Sequence, residues 1–304
     1  MLTQEQITER LNYVTGSDAG VIAGFNRYKT KVQLWLEKTG RAVQEDISGA
    51  NYIKFGNFME DGVANWFMAE SGRVVCKEPA MLVHPEYNWM AGNIDFRVIG
   101  ENAILECKTA GSTDGWGDGE NIIPDHYLMQ VAHYCAVGGF DRAYIAVVFT
   151  FTREMRWYIY DRNVALEQKL IKIEHDFWFN NVKTDVAPIA KTEEDVLALY
   201  RTTTENPMIA SDEIATHVYS LDAVKTKIKE LEAEEQVHRD AIATFMCDSE
   251  ILIDVSGAPL ITWKMTAPVN SFDKKALEKD DPELVKKYTN VGNPQRKFLV
   301  KVKK

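Results

Sequence analysis

The sequence predicts an α+β (mixed α/β) protein in which helices flank a central mixed sheet. Three observations support this fold class. Residues 50–71 carry apolar side chains at the spacing of an amphipathic helix. Strand-like segments then follow one another between residues 73 and 109. A single helical segment, residues 125–137, separates them from a later hairpin, so we expect a mostly antiparallel sheet with one crossover helix.

Capping residues set the boundaries of the predicted N-terminal helices. Ser17 and Asp18 are typical of a helix start, and Thr30 is expected to cap a later helix that Gly40 ends. The helices predicted before the first strand are residues 5–14, 18–24, 32–38 and 50–71.

Short apolar runs between turn residues predict the strands. Gly100-Glu101-Asn102 is expected to turn a hairpin, and Pro124 and Gly138-Gly139 are expected to bound the crossover helix. A further helix is predicted over residues 163–181. The predicted strands are residues 73–75, 80–84, 90–98, 103–109, 143–151 and 154–160.

The composition of the chain changes after about residue 205, so we predict two domains, residues 1–204 and a C-terminal extension over residues 205–304. The extension is expected to contain a charged helix over residues 221–247 and a hairpin after it. An apolar seam on this helix, interrupted by Glu235 and His238, could form a short coiled-coil-like contact. The seam residues are Leu221, Val224, Ile228, Leu231, Ile242 and Phe245.

Composition indicates a folded globular protein, because 45% of the 304 residues are hydrophobic and 11% are aromatic. No secretory signal and no apolar run of membrane-spanning length is visible, so we expect a soluble, cytoplasmic protein without membrane partners. Four widely spaced cysteines predict free, buried thiols and argue against a zinc site; they are Cys76, Cys107, Cys135 and Cys247.

The net charge of −10 argues against simple electrostatic binding of nucleic acid over the whole surface. It leaves open a nuclease that concentrates basic groups in one channel. Residues 285–304 hold seven Lys and Arg and no Asp or Glu, and Arg27, Lys29 and Lys31 form a smaller basic group. Solvated surface is the more common role of such groups, so charge alone does not decide between these classes.

Asp95, Glu106 and Lys108 form the most informative motif. Asp95 leads into a predicted hairpin whose second strand carries Glu-x-Lys. Residues two apart on a strand project from one face, roughly 6–7 Å apart. Two carboxylates can hold Mg²⁺, and a lysine can orient or help deprotonate a water for phosphodiester hydrolysis. The alternative is a solvated strand face with an ion pair between Glu106 and Lys108.

The context of the motif favours a buried site. Ile104 shares the face of Glu106 and Lys108, and Leu105 lies on the opposite face, so the strand is expected to be covered on both sides. Buried charges are costly unless they are paired or bound to a metal. The glycine-rich residues 111–119 are expected to be a flexible excursion, either a mobile substrate-contacting loop or a solvated connection.

Further residues could complete such a site. Glu60 on the long helix could be a third carboxylate, and the amide of Gln130 could bond Lys108 or a phosphate. Arg10 and Ser17 could hold a terminal phosphate at a helix N-terminus. The alternatives are a solvated glutamate, a helix-surface amide and a plain N-cap serine.

These motifs occur in an order that resembles the YqaJ-like viral recombinase family, relatives of the bacteriophage lambda exonuclease. The resemblance spans roughly residues 10–180. The segments that carry it are residues 14–19, Tyr28-Lys29-Thr30, residues 34–40, the helix with Glu60, Asp95 with Glu106-Cys107-Lys108, and Tyr127 with Gln130.

The resemblance implies a PD-(D/E)XK nuclease fold that digests one strand of linear double-stranded DNA from its 5′ end. It implies that Mg²⁺, for which Mn²⁺ can substitute, is bound by Asp95, Glu106, the backbone carbonyl of Cys107 and Glu60. Lys108 and Gln130 would position the water, and Arg10 and Ser17 would form the 5′-phosphate pocket.

The resemblance also implies partners and a setting. Members of the family form rings of three subunits threaded by DNA and work beside a single-strand annealing protein, which suggests a phage or prophage protein in a bacterial host. Two other readings stay open: an endonuclease of the same fold, and a non-catalytic module whose helix at residues 221–247 and basic tail bind DNA or a partner.

Overall fold

Helices cover both faces of a five-stranded mixed sheet in the N-terminal part of the chain. The computed structural model describes residues 8–42, 50–200, 202–268, 271–290 and 296–302. The chain divides into two units, Met1–Thr203 and Thr204–Lys304, and each is described by itself.

The first unit begins with three helices that precede the sheet, and all three start near the predicted residues. Thr30 caps the second helix through a capping box with Gln33, as predicted. Gly24 and Gly72 end the first and third helices in the left-handed conformation that glycine adopts without strain. The helices are α1 (Gly16–Ala23), α2 (Lys31–Lys38) and α3 (Asn51–Ser71).

The remaining elements of the first unit alternate between strands and helices. In chain order they are β1 (Val75–Lys77), β2 (Leu82–Val83), β3 (Ala91–Gly92), β4 (Phe96–Val98), β5 (Ala103–Ala110), α4 (Asp125–Gly138), β6 (Arg142–Phe149), β7 (Glu154–Asp161), α5 (Val164–Phe177), a π-helical turn (Trp178–Val182) and α6 (Glu193–Leu199).

The sheet has the strand order β1-β4-β5-β6-β7. Only β5 and β6 run parallel, and α4 connects them as the predicted crossover helix. The other neighbours are antiparallel, and β2 pairs with β3 in a separate small ladder. The predicted fold class, a mixed sheet flanked by helices, is confirmed.

Strand β5 is buried on both of its faces, as its sequence predicted. Leu105 packs with Val63 and Phe67 of α3 on one face. Ile104 packs on the other face with Val131 of α4 and other core residues. Burying a side chain of this size stabilises a fold by about 1.5–3 kcal/mol. Strand β5 is therefore held rigidly where it carries Glu106 and Lys108.

Several predicted boundaries differ from the structure. The strand predicted over residues 90–98 is two strands, β3 and β4, with Asp95 in the break between them. Of the helix predicted over residues 5–14, residues 5–7 lie outside the described residues, and the rest contains a 3₁₀ turn, Arg10–Asn12. The sequence interpretation missed α6, whose Thr192 and Asp195 form a capping box.

The second unit contains a long helix, a hairpin and two short helices. The helix, α7, runs over Asp212–Met246, beginning nine residues before the predicted start. The predicted hairpin is formed by β8 (Ile251–Ile253) and β9 (Pro259–Thr262), which pair antiparallel. The short helices α8 (Lys274–Asp280) and α9 (Pro282–Tyr288) were not predicted. Residues 291–295 and 303–304 of the basic tail lie outside the described residues.

Two predictions about the surface can be compared with the structure. Among the described helices, none combines the length and the apolar character needed to cross a bilayer. All four cysteines are free, as predicted, but the expectation that all are buried is wrong. Cys76 and Cys247 are exposed because they lie on an edge strand and just past the end of α7.

Candidate active site

A cavity of about 310 Å³ lies beside β5, between this strand and α3. Glu60, Asp95, Glu106 and Lys108 all line it. Strand β4 begins at Phe96, so Asp95 lies just before the point where β4 pairs with β5. Asp95 therefore lies in the break before β4, with its side chain on the wall of the cavity.

Glu106 is only 3% exposed, yet its two carboxylate oxygens have different surroundings. Oε1 accepts hydrogen bonds from Lys108 Nζ at 2.6 Å and from Gln130 Nε2 at 2.7 Å. Oε2 is buried and has no hydrogen-bond partner among the described residues. Leaving such an atom unpaired costs about 1–3 kcal/mol or more. Glu106 therefore has one oxygen that is held by the protein and one that is left for a ligand.

Asp95 is held against β5 by the main chain. Its Oδ2 accepts a hydrogen bond from the backbone N–H of Cys107 at 2.8 Å. Burial, together with the negative charge of Glu106, raises the pKa of Asp95 to about 7, although Lys108 opposes this shift. The two carboxylates therefore repel each other, and a cation in addition to Lys108 would relieve this repulsion.

Lys108 remains a cation in this site. Burial disfavours its charge, but the charges of Glu106 and Asp95 outweigh burial and raise its pKa above the usual value. Its ammonium also lies 4.9 Å from the centre of the Tyr127 ring, a cation–π contact. Lys108 is therefore fixed from two sides, by a carboxylate and by an aromatic ring.

The glycine-rich segment after β5 is anchored where its centre reaches the core, so the prediction of a flexible excursion is wrong there. Trp116 is 9% exposed and packs 5.5 Å from the ring of Tyr127 and 5.1 Å from that of Tyr158. The carbonyl of Gly117 accepts a hydrogen bond from the Tyr158 hydroxyl at 2.7 Å. Trp116 of this segment thus packs against Tyr127, whose ring in turn contacts the ammonium of Lys108.

Glu60 lies on α3 and is half-buried, so it is not an ordinary solvated glutamate. Its carboxylate is 3.7 Å from Lys77 Nζ. Burial and then the charge of Asp95 raise the pKa of Glu60. The side chain is thus within electrostatic reach of Asp95 on the cavity wall.

Gln130 is positioned by Tyr134, one turn further along α4. Its Nε2 also contacts the Tyr134 hydroxyl, at 3.0 Å. The Tyr134 ring fits against two glycines, because a Cβ atom on Gly16 would lie 2.3 Å from it and one on Gly92 would lie 2.7 Å from it. Gly16 belongs to residues 14–19, a segment that carries the family resemblance. Close packing against this ring is the physical reason for glycine at both positions.

The residues around the cavity suit a hard divalent cation. Mg²⁺ prefers oxygen ligands, and sites with one or two carboxylates and several waters are common. Asp95 and Glu106 supply carboxylates. The N–H and C=O of a strand residue point to the same side, so the carbonyl of Cys107 lies on the edge that faces Asp95. Within the described part of the chain, no three His, Cys, Asp or Glu side chains already converge as a metal-ligand set. The partnerless oxygen of Glu106 is the feature that a cation would satisfy.

Arg10 and Ser17 lie together at the N-terminus of α1. Arg10 Nη2 donates to Ser17 Oγ at 2.7 Å and to Thr15 Oγ1 at 3.2 Å. The prediction that Ser17 takes part in capping α1 is wrong. Thr15 is the N-cap because its backbone is extended, and Asp18 accepts hydrogen bonds from its N–H and hydroxyl. Ser17 lies inside the first turn with its hydroxyl directed to Arg10.

The sequence interpretation missed Lys38, which supports this cluster. Its side chain is 5% exposed and its Nζ lies 2.7 Å from Asp18. The same Nζ donates to the carbonyls of Arg10 at 2.9 Å and Tyr13 at 2.7 Å. A signal was present in the sequence, because Lys38 follows the buried Leu34 by four residues and so lies on the apolar face of α2.

The structure thus brings the predicted residues into two clusters. Asp95, Glu106, Lys108 and Gln130 are linked by direct contacts or by charge, with Glu60 on the same cavity wall. Arg10 and Ser17 contact each other at α1. Three supporting aromatic or cationic residues were given no role from the sequence, namely Lys38, Trp116 and Tyr134.

Comparison with known proteins agrees with this architecture. A profile of the YqaJ-like viral recombinase domain matches residues 7–141. The chain is 35% identical over 299 residues to the uncharacterized protein YqaJ of Bacillus subtilis (strain 168), covering 94% of this chain and 91% of that protein.

Among solved structures, the fold is similar to that of LHK-Exo, an alkaline exonuclease from Laribacter hongkongensis, in complex with dAMP. The TM-score is 0.50 at 15% identity, over 60% of this chain and 94% of that chain. At this identity the likeness concerns the fold alone. The relationship to YqaJ extends over nearly the full length of both proteins, and the chain therefore belongs to the YqaJ-like viral recombinase family.

Proposed function

We propose that this protein is a Mg²⁺-dependent exonuclease that digests linear double-stranded DNA in the 5′ to 3′ direction. The observation that carries the proposal is the asymmetry of Glu106: one oxygen binds Lys108 and Gln130, and the other is buried without a partner among the described residues. One structural neighbour, LHK-Exo, was solved in complex with dAMP, which agrees with a deoxynucleotide substrate.

The chain's own residues would supply binding and orientation. Asp95, Glu106 and the Cys107 carbonyl would hold Mg²⁺, with Glu60 on the same wall. When bound, the ion supplies Lewis-acid activation of water and of the phosphoryl oxygen. In the metal-free site the charges of Glu106 and Asp95 raise the pKa of Lys108. Its ammonium would orient the nucleophile and offset charge on the phosphate.

The second cluster would select the end of the DNA. Arg10 presents a guanidinium beside the Ser17 hydroxyl at the start of α1, and a helix N-terminus favours anions. We infer that this cluster binds a 5′-phosphate and that Lys38 keeps the Arg10 segment in place. Because the net charge is −10, attraction for DNA has to come from such local cationic groups.

The product would be a 3′ single-stranded overhang for recombination by single-strand annealing. The family resemblance supports a ring-shaped homo-oligomer of three copies and an annealing protein as the partner, in the cytoplasm of a bacterial host. These assignments belong to the proposal and need separate measurements, by mass determination and by co-purification with a candidate annealing protein.

The central experiment uses linear duplex DNA labelled at the 5′ or the 3′ end, incubated with the full chain and either Mg²⁺ or EDTA. We expect early release of label from the 5′ end with Mg²⁺, and no release with EDTA. Rapid nicking of a closed circular duplex would favour an endonuclease instead. Absence of hydrolysis with Mg²⁺ or Mn²⁺, together with retained DNA binding, would support a non-catalytic module.

The end-binding cluster is tested with duplexes that carry either a 5′-phosphate or a 5′-hydroxyl. We expect Arg10→Ala to reduce the preference for the phosphorylated end about tenfold or more, since a charge-assisted contact contributes about 1.5–3 kcal/mol. Lys172→Ala, at an exposed position on α5, is the matched control. An unchanged preference in Arg10→Ala would contradict the assignment.

A further inference from the structure

The heptad register of helix α7 extends over five repeats, longer than the seam visible from residue 221 onward, with polar residues at three of its a and d positions. With Ile214 as the first a position, the a and d positions recur every seven residues to the end of the helix. The a positions are Ile214, Leu221, Ile228, Glu235 and Ile242. The d positions are His217, Val224, Leu231, His238 and Phe245.

Most apolar members of this seam are exposed, and Ile242 is half-buried. Val224 and Leu231 are each 54% exposed, and Phe245 is 75% exposed. Met246 is the only buried residue in all of α7. At 1.5 Å per residue, the 35 residues extend about 52 Å, so the uncovered stripe is long. A helix of this kind gains most of its stability from a partner that covers its apolar stripe.

Charges beside the seam are complementary to those of a second copy of the same helix. In a parallel coiled coil, each g residue faces the e residue five positions later on the other strand. Lys227 at g would face Glu232 of the second copy, and Glu234 would face its Arg239. Each pair occurs twice in a symmetric dimer. No g–e pair of this register brings like charges together.

The polar seam residues favour the parallel orientation over the antiparallel one. In parallel register, Glu235 and His238 of one copy meet the same residues of the other, in two adjacent layers. The fully overlapping antiparallel arrangement would place Glu235 against Val224 and His238 against Leu221. The antiparallel arrangement buries each of these groups against an apolar side chain, which is costly. The parallel register places the two Glu235 carboxylates together, but it confines the polar groups to two adjacent layers, and polar layers in a coiled coil specify register.

We propose that α7 pairs in parallel and in register with α7 of a second copy of this chain. The second unit is thereby an assembly module that pairs two copies through α7, in addition to any contacts within the three-copy ring proposed above. The inference does not rest on the nuclease activity proposed above, because every residue that carries it lies in α7.

The test is a charge reversal measured on the full chain by sedimentation equilibrium. Lys227→Glu alone and Glu232→Lys alone each put like charges in register twice per dimer, so we expect the dissociation constant to rise about tenfold. The double variant Lys227→Glu/Glu232→Lys restores opposite charges and is expected to return to the wild-type constant.

The double variant separates the orientations. In the antiparallel arrangement Lys227 would face Glu234, and Glu232 would face Lys225, so the double variant would associate more weakly than either single one. That result would overturn the proposal, as would a monomeric wild type or an association that all three variants leave unchanged. Lys229→Glu makes the same charge change outside the seam and is the matched control. Circular dichroism of each variant establishes that α7 remains helical.

A second measurement reads the register directly. In a chain whose exposed Cys76 and Cys247 are replaced by serine, Leu221→Cys brings identical a positions together in parallel register. We expect an interchain disulfide under mild oxidation, within the Cα separation of about 4.4–6.8 Å that a disulfide requires. If the Leu221→Cys chain still associates but forms no cross-link, the proposed register is contradicted. Hydrolysis of linear DNA by the same samples reports separately on the nuclease proposal.

Discussion

Helix α4 contributes to two buried polar clusters that differ in how completely their atoms are paired. On one turn, Gln130 joins Asp95, Glu106 and Lys108, here called the open cluster. On the next turn, His133 contacts Glu174, here called the closed pair. His133 Nδ1 lies 2.9 and 3.1 Å from the two oxygens of Glu174, and Nε2 lies 3.0 Å from the carbonyl of Ala91.

This is the difference that we expect between a structural pair and a site that binds a ligand. In the closed pair, both residues are fully buried and every side-chain nitrogen and oxygen has a neighbour. The open cluster holds two carboxylates for one ammonium, leaves Glu106 Oε2 without a partner among the described residues, and lines a cavity. A buried group that is fully paired needs no ligand, whereas one that is crowded and incompletely paired gains from binding a cation.

The largest expected effect is loss of hydrolysis on changing Lys108. We expect Lys108→Ala to lower the rate about 10³-fold, equivalent to about 4 kcal/mol, because the cation that offsets phosphate charge is lost. DNA binding should be retained, and single-turnover cleavage of a linear duplex measures the effect. Lys172→Ala is the control for removing an exposed lysine. Hydrolysis at the wild-type rate by Lys108→Ala would refute the role assigned to the open cluster.

A substitution in the closed pair is expected to lower the stability of the fold and to leave the rate of hydrolysis unchanged. Glu174→Ala leaves His133 buried without its carboxylate, so we expect the free energy of unfolding to fall by about 3–5 kcal/mol. Urea denaturation measures this change. The folded fraction should retain its rate of hydrolysis, whereas the same substitution at Glu106 should abolish it. A large loss of activity per folded molecule in Glu174→Ala would remove the distinction between the two clusters.

The sequence was sufficient to predict the open cluster because its signals are local. Glu106 and Lys108 are two residues apart on one strand, and the apolar residues around them indicated burial on both faces. Gln130 and Glu60 were candidates from their helical segments, and the family resemblance assigned their roles. The structure adds the contact between Gln130 and Glu106, which joins residues 24 positions apart and has no local signature.

Supporting residues were harder to predict because their roles depend on long-range packing. Trp116 lies in a glycine-rich segment that looked mobile, and only the neighbouring rings of Tyr127 and Tyr158 show that it is anchored. Tyr134 was one apolar residue among many on α4 until its ring was seen against Gly16 and Gly92. The closed pair spans 41 residues and gave no sequence signal.

Removing one charge from the open cluster should affect both its stability and its response to Mg²⁺. Asp95→Asn should stabilise the metal-free protein by about 1–2 kcal/mol, because it relieves the crowding with Glu106 while Oδ can still accept from Cys107. Mg²⁺ should raise the melting temperature of the wild type and not that of Asp95→Asn. Asp248→Asn, at an exposed position in the second unit, is the control. An equal Mg²⁺ effect in both proteins would place the ion elsewhere.

The smallest expected effect is the pH dependence of the closed pair. Burial opposes the charge of His133, but Glu174, the carbonyl of Ala91 and the charge of Asp18 outweigh it and raise the His133 pKa. Burial also raises the pKa of Glu174. The folded state therefore holds a proton that the unfolded state releases as pH rises above about 6.5, the ordinary histidine value. Stability is full below that pH and is lost as pH rises through the folded-state pKa, by at most about 1.4 kcal/mol per pH unit for one proton.

Urea midpoints between about pH 6 and about pH 9 measure this slope, and the comparison protein is the double variant His133→Gln/Glu174→Gln. Because the variant has no titrating group at this site, its stability should fall less over the same range than that of the wild type. Asp18 is unchanged in both proteins, so its contribution to the difference arises only through the closed pair. If stability changes with pH equally in the wild type and the variant, the pair exchanges no proton on unfolding. The cost of burying His133 and Glu174 would then have to be offset by packing alone.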